Sequence, residues 1–159
     1  MLHFGCHGQA KVPVLTSRLD LGEGGELAVG RILHQARKRS RSEPGGLVVL
    51  ASCLSDVTET DYDEALTLAT AFLSAGSAGV VGARWSVGEA DTALFMVNFH
   101  NHLNCGPSGP AQALHSAQLW MLDPGRAAPD GLSKVLREEA SQPGLADPAA
   151  WAAFAYQGR

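Results

Sequence analysis

The sequence predicts an α/β fold with a mostly parallel sheet, and two observations carry that expectation. Residues 47–85 run as a short apolar stretch LVVLASC, a polar loop, a helix-like DYDEALTLATAFLSAG, and a second short apolar stretch GVVGARW. A strand–helix–strand unit of this kind joins parallel strands through a right-handed crossover. The chain also opens on a third apolar run, LHFGCHG, which ends in a histidine much as LVVLASC ends in a cysteine. Open parallel sheets gather their chemistry at the carboxyl ends of the strands, so His7 and Cys53 are expected to share one crevice.

In chain order, Leu2–Cys6 reads as the first strand, and residues 8–25, with Gly8, Pro13, Gly22, Gly24 and Gly25, as an extended loop. Glu26–Lys38 has apolar residues at 27, 29, 32, 33 and 36, a helical spacing, with its basic residues late, where the helix dipole favours them. Arg39–Gly46 breaks that helix. Leu47–Ala51 is apolar throughout, as a strand covered on both faces should be. The loop 54–62 is acidic, and Asp61 and Gly76 suit the two ends of the helix that follows. Gly79–Trp85 is the third strand. Ser86 to Glu89 has the capping-box pattern ahead of a helix over Ala90–Leu103. Pro110 fits the first turn of another helix, which ends near Leu122 before Pro124. A short amphipathic piece, Leu132–Ala140, lies in a Pro/Gly-rich stretch, and Trp151–Tyr156 reads as a last strand. With 159 residues, 45% of them apolar, and no dividing linker, residues 1–159 are expected to form a single domain.

Composition excludes several function classes. The net charge of −4 creates no field that favours nucleic acid or an anionic membrane, and neither is an expected partner. No apolar run approaches the ~18 residues that span a bilayer. The first residues lack a basic n-region, so no signal peptide is expected and the location expected is cytoplasmic. Three cysteines, Cys6, Cys53 and Cys105, are too few and odd in number for a disulfide framework, in keeping with a reducing interior.

A thiol with an ordinary pKa of about 8.5 becomes an effective nucleophile at neutral pH when a base lies beside it. A histidine can take its proton and later return it to a leaving amine. Peptide cleavage needs donors for the tetrahedral oxyanion as well, and backbone N–H groups commonly serve. Gly8 removes side-chain bulk directly after His7, where a substrate carbonyl would approach. His3, Cys6 and His7 could instead suggest a metal cluster. A strand spreads them over both faces, and no CxxC or HExxH pair accompanies them, so no metal is expected. Cys6 is expected to be buried on the face opposite His7. The acidic loop is first of all a solvated loop. Trp85, Trp120 and Trp151 are first of all packing residues.

The blocks HFGCHG, LVVLASC, ALTLATAFLSAGSAGVVGARWSV, DTALFMVNFHNHL, PAQALHSAQLWM and DPAAWAAFAYQG resemble, in the same order, the CHAT domain. CHAT domains are bacterial caspase-like modules related to separase and often attached to TPR repeats. The resemblance covers residues 2 to 158. It implies a three-layer caspase-like sandwich and a cysteine endopeptidase that requires no cofactor and acts on a protein or peptide substrate. By the same resemblance Cys53 is the nucleophile and His7 the general acid/base. The N–H groups of Gly8 and Cys53 line the oxyanion hole, and Trp85, Ser86 and Val87 lie along the substrate. The alternative is a non-catalytic or truncated CHAT module that serves as an interaction part of a larger signalling or defence complex. Two departures stand out. Ala51-Ser52 precedes the cysteine where the family usually has Ser-Ala, and the two strands and helix expected ahead of the histidine strand are missing. The fold is therefore expected to be N-terminally incomplete: either the start codon is misplaced, or the chain is a fragment of a longer gene, or a TPR-containing or other chain completes the sheet.

Overall fold

The computed structural model describes residues 1–9, 16–38, 45–51, 62–105 and 109–158, with backbone alone over 62–67. The chain divides into two compact units, residues 1–86 with 155–159, and residues 87–154.

The first unit contains the expected α/β core. Strands β1 (Leu2–Phe4), β5 (Leu47–Leu50), β6 (Gly79–Ala83) and β7 (Phe154–Gly158) follow one another in that order across one sheet. The first three run parallel, with Phe4 opposite Leu50 and Leu50 opposite Gly82. Val48, Val49, Val80 and Val81 are buried, which explains the unbroken apolar runs. Helices α1 (Val29–Ala36) and α2 (Tyr62–Ser74) supply Val29, Ile32, Leu68, Ala69 and Phe72 to this core. Gly76 ends α2 as expected. It sits at φ +94°, its N–H reaches the Leu73 carbonyl, and the Ser77 N–H reaches that of Phe72. That pair of bonds is the Schellman arrangement, and it satisfies carbonyls the helix end would leave open. The cap expected from Asp61 lies outside the described residues.

The start of the chain departs from expectation. The first strand ends at Phe4 rather than Cys6, and His7 begins a second strand, β2 (His7–Gln9). The presumed loop and the first turn of the next helix hold two more strands, β3 (Arg18–Asp20) and β4 (Glu26–Ala28). The three form a separate antiparallel ribbon in the order β2-β3-β4. Its hairpin loop is shaped by Gly22 and Gly24, both at φ +78°, a conformation glycine adopts without strain. Leu27, whose spacing fits the helix, instead faces Leu19 across the ribbon. The helix begins at Val29, whose N–H donates to the carbonyl of buried Ser17.

The second unit is helical. Helix α3 (Glu89–Asn104) starts on Gly88, not on the Ser86 box, and α4 (Pro110–Leu122) opens on its proline. The two pack together and bury Leu94, Phe95, Phe99, Ala113, Ala117 and Met121. Phe95 stacks on Phe154 at 4.4 Å, and Gln118 donates to the Phe154 carbonyl. Helix α5 (Lys134–Ala140) is capped by Ser133, whose hydroxyl accepts the Leu136 N–H. Trp151 does not begin a strand. It closes a single helical turn, α6 (Pro148–Trp151), capped by Asp147, and β7 starts three residues later. Among the described residues, no helix is long and apolar enough to cross a membrane.

Candidate active site

Parallel strands bring their carboxyl ends to one edge, and the register defines which residues meet there. Phe4, Leu50 and Gly82 form one row across β1, β5 and β6. The Ala51 N–H donates to the Phe4 carbonyl at 3.0 Å, so β1 and β5 remain paired one residue beyond β5. His7, Cys53 and Trp85 each lie three residues further along the chain from that row. Cys53 and Ser52 lie outside the described residues. The expected meeting of His7 and Cys53 therefore lies outside the described residues, which show only the strand pairing that precedes the two.

Phe4 is the anchor of β1, its ring 5.7 Å from that of Phe72 on α2. Beyond it the chain bends at Cys6 and enters the ribbon. Ribbon register pairs His7 with Asp20, Gly8 with Leu19, and Gln9 with Arg18. On the other side, Asp20 pairs with Glu26 and Leu19 with Leu27. Directly opposed residues share a face and alternate residues change face. One face thus carries His7, Gln9, Arg18, Asp20 and Glu26, and the other carries Gly8, Leu19 and Leu27. Leu19 is fully buried and joins the core cluster, which leaves the polar face outward. His7 is exposed on that face, whereas Gly8 is buried.

The polar face is partly self-neutralised. Arg18 bridges Glu26 at 2.6 Å and donates through Nε to the Gln9 amide oxygen at 3.1 Å. Asp20 is engaged differently: its Oδ1 accepts the Gly22 N–H at 3.0 Å within the hairpin loop. Cys6, expected to be buried on a continuous strand, sits at the bend half-buried beside the core, with its thiol pushed up by burial first and by the Asp20 charge second. That thiol is held away from the reactive thiolate form. Burial also pushes His3 down, towards neutral imidazole. Cys6 and Cys105 are both free thiols.

Of the residues expected along a substrate, Trp85 is half-buried, Ser86 is exposed and Val87 is buried as the first residue of the second unit. Trp85 lies past the end of β6, which stops at Ala83. Among the described residues no group of three His, Cys, Asp or Glu side chains is placed to hold a metal ion.

Sequence reasoning missed Asp20, Arg18 and Glu26 as neighbours of His7. The available signal was the short alternation Arg18-Leu19-Asp20 and Glu26-Leu27-Ala28 on either side of a glycine cluster, the composition of a tight hairpin.

Compared with protein-family models, the chain matches that of the CHAT domain over residues 1–159. Compared with the curated proteins, it has no match.

Proposed function

Because the chain belongs to the CHAT domain family, which is caspase-like, we propose that it is a cysteine endopeptidase with Cys53 as nucleophile and His7 as general acid/base. The observation that supports this most is the adjacent parallel pairing of β1 with β5, with Phe4 opposite Leu50 three residues ahead of each partner. His7 takes the proton from the Cys53 thiol, the thiolate attacks the scissile carbonyl, and the imidazolium returns the proton to the leaving amine. Water then releases the acid fragment from the acyl-enzyme with His7 again as base. The Gly8 and Cys53 N–H groups are the proposed oxyanion donors, and Trp85, Ser86 and Val87 the proposed substrate-lining segment. No cofactor or metal enters these steps. The substrate is a protein or peptide.

The test is cleavage of a mixed peptide library, read by mass spectrometry, with the wild-type chain and two variants. Cys53→Ala should abolish cleavage, and His7→Ala should slow it on the order of 100-fold or more, the usual contribution of general acid–base catalysis. A folded wild-type chain that cleaves nothing would instead support a CHAT module that acts through binding alone.

A further inference from the structure

Building on the assignment of His7 as general base, we propose that Asp20 is a positioning residue that accepts a hydrogen bond from one ring N–H of His7 and turns the other ring nitrogen toward the nucleophile. The two are directly opposed across β2 and β3. Opposed residues of an antiparallel pair hold their Cβ atoms about 4.5–5.5 Å apart on one face, within reach of an imidazole and a carboxylate after a rotamer change. His7 is exposed, and no hydrogen bond or ion pair fixes its ring among the described residues.

The other groups on this face are less suited to the task. Glu26 is the next carboxylate in the row, one strand further away, and it is taken by Arg18. Gln9 is engaged by the same guanidinium. Arg18 is cationic and cannot accept a hydrogen bond. Cys6 lies on the core side of the bend. Asp20 is left as the anion directly opposite the imidazole. Among the described residues the Gly22 N–H holds the carboxylate through Oδ1 alone. The charge of Asp20 reaches the start of β2, since it helps to raise the Cys6 thiol one residue before His7.

The chemical consequence is specific. When the thiol proton moves to His7, the ring becomes an imidazolium and the sulfur a thiolate. No other bond changes. A carboxylate on the far ring nitrogen selects the tautomer able to accept that proton and stabilises the cation that forms.

The experiment measures the rate at which iodoacetamide alkylates Cys53 in the full chain, by peptide mass spectrometry, between about pH 5.5 and 9.5. Asp20→Asn keeps an oxygen for the Gly22 turn and removes the charge. It should slow alkylation about tenfold near pH 7, the effect of one pKa unit of charge stabilisation. It should converge with wild type at high pH, where the thiol ionises unaided. Asp20→Glu should recover part of the lost rate, and Glu26→Gln should follow the wild-type profile. Four results would overturn the proposal: Asp20→Asn matching wild type while His7→Ala is slow, Asp20→Asn equally slow at every pH, no recovery in Asp20→Glu, or the same loss in Glu26→Gln. If His7→Ala itself matches wild type, the general-base assignment falls and the role of Asp20 falls with it.

Discussion

Phe4 and Leu50 are register partners in adjacent parallel strands, and the Phe4 carbonyl also accepts the N–H of Ala51. This join brings the chain segment that leads to His7 alongside the one that leads to Cys53. It is maintained from below by the Phe4 ring against Phe72 of the crossover helix. The candidate base thus depends on a packing contact remote from any chemistry.

Phe4→Ala should therefore cost about 3 kcal/mol of stability, the lower end of the range for emptying an aromatic site, since Phe4 is only half-buried. Urea unfolding measures the loss. The same variant should label Cys6 faster under native conditions, because Cys6 packs against the cluster Phe4 helps to close. Unchanged labelling of Cys6 would mean that β1 does not need this anchor.

In the second unit, Arg126 donates from Nε to the Ala140 carbonyl, from Nη1 to those of Met121 and Asp123, and from Nη2 to that of Gln142, at 2.6–2.9 Å. Its guanidinium also lies 5.9 Å from the centre of the Trp120 ring. One planar fork thus ties the end of α4 to the end of α5. Arg126→Ala should destabilise by about 2–4 kcal/mol, allowing for the exposed part of the network. Arg126→Lys should be nearly as damaging, because an ammonium cannot reach several carbonyls in a fixed plane. The urea midpoints of the two variants provide the comparison.

Gly76→Ala should cost about 1–2 kcal/mol, since an L-residue at φ +94° is strained where glycine is not. Gly144→Ala is the control, as a Cβ there meets open space and no positive φ is required. A thermal melt that lowers only the first variant would confirm the C′ assignment.

Asp91 has its carboxyl raised above the ordinary 3.8, by burial first and by Glu139 second. A carboxyl whose pKa is higher in the fold binds its proton more tightly there than in the unfolded chain. Its contribution to stability is therefore fully present below pH 3.8 and is lost as pH rises through the folded value. The difference in unfolding free energy between wild type and Asp91→Asn should accordingly move in favour of wild type on acidification from neutral pH. A constant difference would show that Asp91 titrates alike in both states.

Local physics made much of this fold legible in the sequence. The crossover from β5 through α2 to β6 rests on apolar periodicity, and Gly76 and Pro110 mark helix ends because φ and the missing proline N–H constrain them locally. Alternation along a regular strand would bury Cys6 opposite His7, but the strand ends at Phe4 and the bend leaves Cys6 half-buried. The ribbon was different. Strands of three residues are too short to show a period, and Leu27 suits both a helix face and a strand face. Only the pairing of Leu27 with buried Leu19 decides between them. Trp151 likewise reads as a strand residue by type, yet Asp147 caps a helical turn there. The sequence alone determined that a histidine and a cysteine each follow a short apolar run. The tertiary structure alone put Asp20 opposite His7, because cross-strand register is a contact between residues 13 positions apart that no local preference encodes.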